Sequence, residues 1–221
     1  MNFYIFALVI NVRSMGRKSL KEIRQLEIVK VFYKVARKEG LENTSIAKIA
    51  KVMDINPSLI IHYFQTKEEL TYALVDYILE KYLLIYRVGH DGKTPLREAL
   101  IQVIDDLFSK KWNKLFDDGL FYSCYALTFR EKKVKRMYKN LADSLRERLA
   151  ALIGRCKAAQ LIHIDDPRRT ADLIFALVDG AYFYLSLDSD KNTFTRKIVE
   201  YKEEALGLLG IRDTTLFAKP G

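Results

Sequence analysis

Cysteine is scarce in this sequence, since its 221 residues include only Cys124 and Cys156. The two form no C-x-x-C pair and are too few for a disulfide-stapled scaffold. We therefore expect two reduced cysteines within helices of a cytoplasmic protein. A redox switch is the alternative that the residues alone leave open.

Turn-forming residues are scarce as well. The chain has 10 Gly and 4 Pro, while apolar residues make up 49% of it and charged residues 29%. This composition is too apolar for a disordered chain and too poor in turn formers for a many-stranded β fold. The sequence therefore predicts an all-α protein with a sizeable core.

Catalytic and metal-binding motifs are missing. His62, His90 and His163 have no ligand spacing, and there is no P-loop, Gly-rich dinucleotide fingerprint or serine elbow. His163 could bind a metal together with Asp165 and Asp166, but Asp166 precedes Pro167 and is better placed to cap a helix there. We expect no enzyme activity, no cofactor and no metal site.

No apolar run is long enough to span a membrane. The longest lies in residues 1–14, from Phe3 to Val12, and has about half the required length, with neither a basic n-region before it nor a small-residue cleavage site. Met15 begins a polar, basic stretch. We expect translation to start at Met15 and residues 1–14 to be a non-native extension; a short membrane-docking tail is the alternative.

Positive charge is in excess. The formal net charge is +9, which favours a polyanionic partner without separating DNA, RNA and anionic membrane. Residues 13–66 carry 11 Lys or Arg against 5 Asp or Glu. A second basic cluster consists of Arg130, Lys132, Lys133, Lys135, Arg136 and Lys139. It is a solvated helix face, an anionic-ligand site or a secondary DNA site.

Helix starts are marked by capping residues. Three of them precede proline at the first helical position, and a fourth is the capping box formed by Thr66 and Glu69. The proline pairs are Asn56-Pro57, Thr94-Pro95 and Asp166-Pro167. Gly40 should end the first helix, and helical periodicity predicts helices over residues 19–38, 44–52, 56–64, 67–86, 95–109, 119–130, 132–161, 167–187 and 193–209.

Two of these helices are short and are joined by only three residues, Met53 to Ile55, which is the spacing of a helix-turn-helix unit. Its interior is predicted to contain Ile46, Ile49, Ala50, Met53, Ile55, Leu59 and Phe64. The polar residues left for the opposite surface are Thr44, Ser45, Lys48, Asn56, Ser58 and His62. They lie at or near helix N-termini, where backbone N–H groups and the helix dipole favour phosphate.

Several spacings together resemble the DNA-binding domain of the TetR family of transcriptional regulators. They are Ile28 to Gly40, Thr44-Ser45, Ile49-Ala50, Ile55, His62-Tyr63-Phe64 and Lys67-Glu68-Glu69-Leu70. The resemblance implies a DNA-binding domain at residues 22–82 and a helical ligand-sensing and dimerisation domain at 83–211.

The sequence departs from the family pattern at two positions, since family members often have Gly at position 54 and Tyr at position 61. Asp54 tolerates a left-handed turn, so the turn should form. Ile61 lacks the hydroxyl of that Tyr, so a phosphate contact is lost.

The resemblance also assigns roles to residues. It implies that Thr44, Ser45 and Lys67 contact phosphate and that His62 and Tyr63 flank the DNA. The groove-facing tip would be Asn56, Pro57, Ser58 and Leu59. The alternatives are that Leu59 and Tyr63 belong to the core and that Lys67 is only a solvated charge.

Aromatic residues are dense in the C-terminal part. Helical spacing places many such side chains in a core, but a cluster rich in Tyr and Trp also suits a cavity for an amphipathic or aromatic organic ligand. The candidate ligand-binding residues are Tyr82, Tyr86, Trp112, Phe116, Tyr122, Tyr125, Phe129 and Phe175. Gly180 inside a helix indicates close approach of another helix, which the resemblance assigns to the dimer interface.

These observations predict a ligand-responsive repressor that binds double-stranded, palindromic operator DNA as a homodimer and has no membrane partner. The alternative is a constitutive DNA-binding chromosome or division factor without a small-molecule ligand.

Overall fold

The structure is a computed structural model that describes residues 19–83, 94–109 and 118–211. Within these ranges the regular secondary structure is helical, without a strand, which confirms the predicted all-α class. The helices are α1 (Leu20–Glu39), α2 (Ile46–Met53), α3 (Pro57–Tyr63), α4 (Lys67–Tyr82), α5 (Leu96–Leu107), α6 (Asp118–Ala126), α7 (Lys132–Ala158), α8 (Pro167–Ser186) and α9 (Lys191–Leu208), with a 3-10 turn at Leu127–Phe129. The extension at residues 1–14 lies outside the described residues.

The chain consists of two compact units, and the boundary between them lies within helix α4, between Leu74 and Val75. The first half of α4 contributes the buried residue Leu70 to the first unit. The second half contributes the buried residues Ile78 and Leu79 to the second unit. One helix therefore belongs to both units.

The first unit begins with a well-capped helix. Ser19 and Glu22 form a capping box at the start of α1, and the apolar face of α1 buries Ile28 and Phe32. Gly40 ends the helix with φ 87°, and its N–H donates to the Ala36 carbonyl. The predicted C-terminal breaker is confirmed.

The turn between α2 and α3 depends on a left-handed residue. Asp54 adopts φ 53° and ψ 47°, and Asn56 then caps α3 by accepting a hydrogen bond from the Ser58 N–H at 2.9 Å. Asp is among the few residues other than Gly that adopt this conformation readily. Both the turn and the Asn56-Pro57 helix start are confirmed.

The predicted interior of α3 is wrong by one residue. Ile60 is fully buried, whereas Leu59 keeps 41% of its surface exposed. A helix of two turns buries too few side chains for periodicity to identify its inner face. Leu59 is therefore a surface residue, and the prediction that it joins Ile49 and Ala50 in the core does not hold.

The second unit has its core among α5, α7, α8 and α9. Asp166 caps α8 by accepting from the N–H groups of Arg168 and Arg169, as predicted. The Thr94-Pro95 prediction is off by one residue, since α5 begins at Leu96 after Pro95. The predicted helix 119–130 is α-helical only as far as Ala126 and continues as the 3-10 turn at Leu127–Phe129. Helix α7 was predicted to end at residue 161 and ends three residues earlier, at Ala158.

We predict that Ile60→Ala lowers the free energy of unfolding by about 2–5 kcal/mol, because it opens a cavity in the core of the first unit. Leu59→Ala serves as the matched control and should cost less than about 1 kcal/mol, since Leu59 is 41% exposed. Chemical denaturation followed by circular dichroism measures both. Equal losses would contradict the assignment of Ile60 as the buried residue.

Candidate DNA-binding surface and aromatic cavity

The tip of α3 is an exposed group of four residues: Asn56, Pro57, Ser58 and Leu59. The side-chain Oδ1 of Asn56 is used in capping, while the Ser58 and Leu59 side chains project from the first turn. Ser45 is also exposed and caps α2 by accepting from the Lys48 N–H at 3.3 Å. Five of the predicted DNA contacts thus lie on the surface, at or next to helix starts.

Thr44 does not lie on this surface. Its side chain is buried at 2% exposure, and its hydroxyl donates to the Gly40 carbonyl at 2.8 Å. The prediction of a surface position for Thr44 is wrong because the hydroxyl satisfies the backbone at the end of α1 instead. Its role is to hold the connection between α1 and α2.

Two lysines differ in how they are held. Lys48 Nζ donates to Glu39 Oε2 at 2.6 Å and to the Asn43 carbonyl at 2.9 Å. The hydrogen bond between Lys48 and Glu39 lowers the pKa of Glu39. Lys67 is exposed at the first position of α4. The helix dipole is positive at the start of a helix, so it disfavours an ammonium group there. A phosphate beside Lys67 would offset this repulsion.

The start of α4 follows the capping-box prediction in part. The Thr66 hydroxyl accepts from the Glu69 N–H at 3.1 Å, as predicted. The Glu69 carboxylate reaches one residue further back and accepts from the Gln65 N–H at 3.0 Å. Two backbone donors are satisfied, but the second belongs to Gln65 rather than Thr66.

The end of α3 carries His62 and Tyr63, whose rings meet edge to face at 5.3 Å. His62 is exposed and Tyr63 is half-buried, with its carbonyl accepting from Gln25 Nε2 at 3.0 Å. Ile61 is 50% exposed, so it lies on the surface where the resemblance places a phosphate-contacting Tyr in other family members.

The second unit contains a cavity of about 870 Å³. Five predicted ligand-binding residues lie in its wall: Tyr82, Tyr122, Tyr125, Phe129 and Phe175. The other three, Tyr86, Trp112 and Phe116, lie outside the described residues. The size falls within the range of small-molecule sites.

Aromatic rings form one contiguous cluster in this wall. The Phe121 ring lies 5.2 Å from the Tyr82 ring, 5.4 Å from the Tyr122 ring and 5.7 Å from the Tyr138 ring, between ring centroids. Tyr125 packs edge to face on Tyr138 at 5.5 Å. Such spacings are typical of favourable aromatic pairs and give the cavity a π-rich lining.

Two of the tyrosine hydroxyls in this wall are bonded to backbone carbonyls. Tyr138 Oη donates to the Phe121 carbonyl at 3.3 Å, and Tyr182 Oη donates to the Leu107 carbonyl at 2.9 Å. Burial raises the pKa of Tyr138 far above its ordinary value, so its phenol stays neutral. These tyrosines offer rings to the cavity rather than hydrogen-bond donors.

Charged side chains in the same wall were not predicted as a group. They are Lys135, Lys139, Asp143, Arg146 and Asp179. Four come from α7, where intervals of three and four residues place side chains on one helix face. That spacing was visible in the sequence, but only the structure brings the face of α7 against the aromatic residues.

In the part of the chain that the structure describes, no three His, Cys, Asp or Glu side chains are grouped to hold a metal ion. Within the same ranges, no helix combines the length and hydropathy needed to cross a membrane.

Two family models match the chain. Residues 28–74 match "Bacterial regulatory proteins, tetR family", and residues 96–211 match "Tetracyclin repressor-like, C-terminal domain". The second match alone covers more than half of the chain.

Individual relatives agree with these models. The transcriptional regulator BetI of Rhizobium meliloti (strain 1021) is 25% identical over 175 residues, covering 79% of this chain and 84% of the relative. AcrR of Shigella flexneri is 23% identical over 167 residues, covering 72% and 77%.

Solved structures share the fold. A TetR transcription regulator from Haloarcula marismortui superposes with a TM-score of 0.74 at 18% identity, covering 86% of this chain and 98% of that one. A transcriptional regulator from Saccharomonospora viridis, solved in complex with choline, gives a TM-score of 0.68 at 14% identity, covering 84% and 96%.

We predict that Thr44→Val and Ser45→Ala separate a structural role from a DNA-binding role. Thr44→Val keeps the shape but removes a buried hydrogen bond, so it should cost about 1 kcal/mol of stability. Its effect on DNA affinity should be negligible once the protein is folded. Ser45→Ala should cost about 0.5–2 kcal/mol through the lost cap and should weaken DNA binding as well. Weaker DNA binding by folded Thr44→Val would contradict the buried placement.

Proposed function

The chain belongs to the TetR family of transcriptional regulators, and from that premise we propose that it is a ligand-responsive repressor. It binds a palindromic operator as a homodimer and releases it when a small organic molecule enters the cavity. The observation that carries this proposal is helix α4. It begins at Lys67, four residues after the last residue of α3, and ends at Tyr82 in the cavity wall.

In the proposed complex, α3 enters the major groove with its N-terminal residues at base edges. Ser58 offers a hydroxyl to a base, and the exposed apolar side chain of Leu59 suits a thymine methyl group. Ser45 and Lys67 contact phosphates, and His62 and Tyr63 flank them. Phosphate contacts fix position and base contacts supply sequence preference. The DNA partner implies a cytoplasmic location.

The proposed response to ligand runs through α7 and α4. The face of α7 lines the cavity, and Lys133 of the same helix attracts Asp76 of α4, opposing the rise in the pKa of Asp76 that burial causes. A ligand that moves α7 would therefore also bias α4. The choline complex of the Saccharomonospora viridis relative supports the idea that this fold accommodates a small organic molecule.

The proposed dimer interface lies on α8 and α9. Gly180 is exposed, and a Cβ added there would have no atom of the described residues within 4 Å, so no described helix of the same subunit explains the glycine. An exposed apolar stripe passes through it at helical spacing: Leu173, Ala176, Gly180, Phe183, Tyr184 and Leu187. An apolar stripe of this length suits a second copy of the chain.

We predict that Lys67→Ala weakens binding to all DNA sequences and flattens the salt dependence. The slope of log affinity against log salt should fall by about 1 for each subunit of the dimer, because one phosphate contact is lost. Lys132→Ala, which removes the same charge from the second unit, is the control. Fluorescence anisotropy with a selected operator duplex measures both, and an unchanged slope for Lys67→Ala would remove this residue from the interface.

Ser58→Ala should instead change the order of preferred operator sequences at one position in each half-site. The expected loss of discrimination is about 1–3 kcal/mol if its hydroxyl reaches a base. Selection from randomised duplexes with the wild-type chain and the variant provides the comparison. Identical selected sequences would contradict base contact by Ser58.

Gly180→Arg tests the dimer. The variant should fold at least as well as the wild type, since arginine favours helix more than glycine by about 1 kcal/mol and meets open space in the subunit. It should be a monomer that has lost preference for inverted repeats with half-sites about 34–36 Å apart. Ala151→Arg, at an exposed position of α7, is the control for an added arginine. Sedimentation that finds Gly180→Arg still dimeric would refute this interface.

A further inference from the structure

Aromatic walls by themselves favour a cation, because ring faces attract positive charge. In this cavity the protein supplies that cation itself. The Arg146 guanidinium lies over the Phe175 ring, 5.1 Å from its centroid, and Arg146 Nη2 pairs with Asp179 Oδ2 at 3.1 Å. Arg146 Nε also lies 3.6 Å from Asp172 Oδ1. A ligand cation would have to displace Arg146 or approach it against charge repulsion.

The other carboxylate of the wall is occupied as well. Asp143 forms an ion pair with Lys139 one helical turn earlier on α7. Both acidic residues that line the cavity are therefore neutralised by basic residues of the same wall. Neither offers an unpaired negative charge to a ligand.

Lys135 is the one charged residue of this wall whose side chain has no ion pair or hydrogen bond within the described chain. It lies one turn before Lys139 and is exposed, as is Phe129 at 80%, so both lie where the cavity opens to solvent. The exposed side chains of Arg130, Lys132 and Arg136 add positive charge at this end of α7. Glu131 is the one carboxylate among residues 129–136, so this segment of the opening carries a net positive charge.

We propose that the cavity selects an amphipathic organic anion. Its apolar or aromatic body lies against rings such as Phe121 and Tyr125, and its anionic group lies at the opening beside Lys135. Tyr138 and Tyr182, whose hydroxyls are bonded to backbone carbonyls, contribute rings to the lining, while Arg146 and Lys135 disfavour cations. This assignment of ligand class and of Lys135 as the specificity-determining residue rests on the proposed function as a ligand sensor.

The test uses N-phenyl-1-naphthylamine, a neutral fluorescent reporter, bound to the full-length protein without DNA. Decanoate and decyltrimethylammonium have similar alkyl chains and opposite charges, so they compete with the reporter as a matched pair. We expect decanoate to displace the reporter at a concentration about 3- to 10-fold lower than decyltrimethylammonium, as one charge-assisted contact allows. A preference for decyltrimethylammonium would overturn the proposal.

Variants locate the effect. Lys135→Gln should abolish the preference for decanoate and Lys135→Glu should reverse it, while reporter affinity stays within about twofold because the apolar wall is intact. Lys132→Gln, which removes an equal charge from the same helix outside the cavity wall, should keep the preference. Loss of the preference in Lys132→Gln to the same extent would show general attraction rather than a site at Lys135 and would overturn the assignment.

Operator binding separates this proposal from the one on which it rests. If decanoate is preferred but leaves operator affinity unchanged, the ligand class holds and the sensor function fails. If decyltrimethylammonium is preferred and releases the operator, the sensor function holds and the ligand class fails. Failure of the reporter to bind at all would overturn both.

Discussion

Helix α4 is the element on which this molecule depends, because a single continuous helix contributes to the interior of both compact units. Its start is held by the hydrogen bond from the Glu69 N–H to the Thr66 hydroxyl. Its last residue, Tyr82, packs against Phe121 in the aromatic cluster. The proposed coupling between cavity and operator requires that a displacement at one end of this helix reaches the other end.

In the proposed ligand site, charge determines what the cavity accepts. A lining of tyrosine and phenylalanine is compatible with many organic molecules, and its ring faces by themselves would favour a cation. The ion pairs of Arg146 and Lys139 oppose that preference, because they satisfy Asp179 and Asp143 internally. Among the described residues, what is left at the opening is the ammonium of Lys135, whose side chain has no partner there. The basic cluster of α7 that sequence reasoning could not assign therefore gains a proposed role at a defined position.

Local chemistry explains which features were predictable from sequence. Caps and left-handed turns involve residues a few positions apart, so Asn56, Asp166 and Gly40 identified helix ends correctly. Failures came where the answer depends on packing between helices. Sequence alone could not decide whether Leu59 or Ile60 packs against α1 and α2. It also could not show that Thr44 faces the interior while its neighbour Ser45 faces solvent. The cavity was predictable from the density of aromatic residues. Its charged wall was not, because Arg146 of α7 and its partner Asp179 of α8 are 33 positions apart in the sequence.

Reciprocal linkage provides the most direct measurement of whether this chain couples ligand to DNA. A compound selected because it displaces the reporter is titrated against the free protein and against the protein saturated with its operator duplex. Coupled sites typically differ by about 1 to 3 kcal/mol, so ligand affinity should be roughly 5- to 150-fold weaker on the operator complex, and operator affinity should fall by the same factor when ligand is bound. Equal ligand affinity for the free and DNA-bound protein would contradict the account and identify a constitutive DNA-binding protein instead.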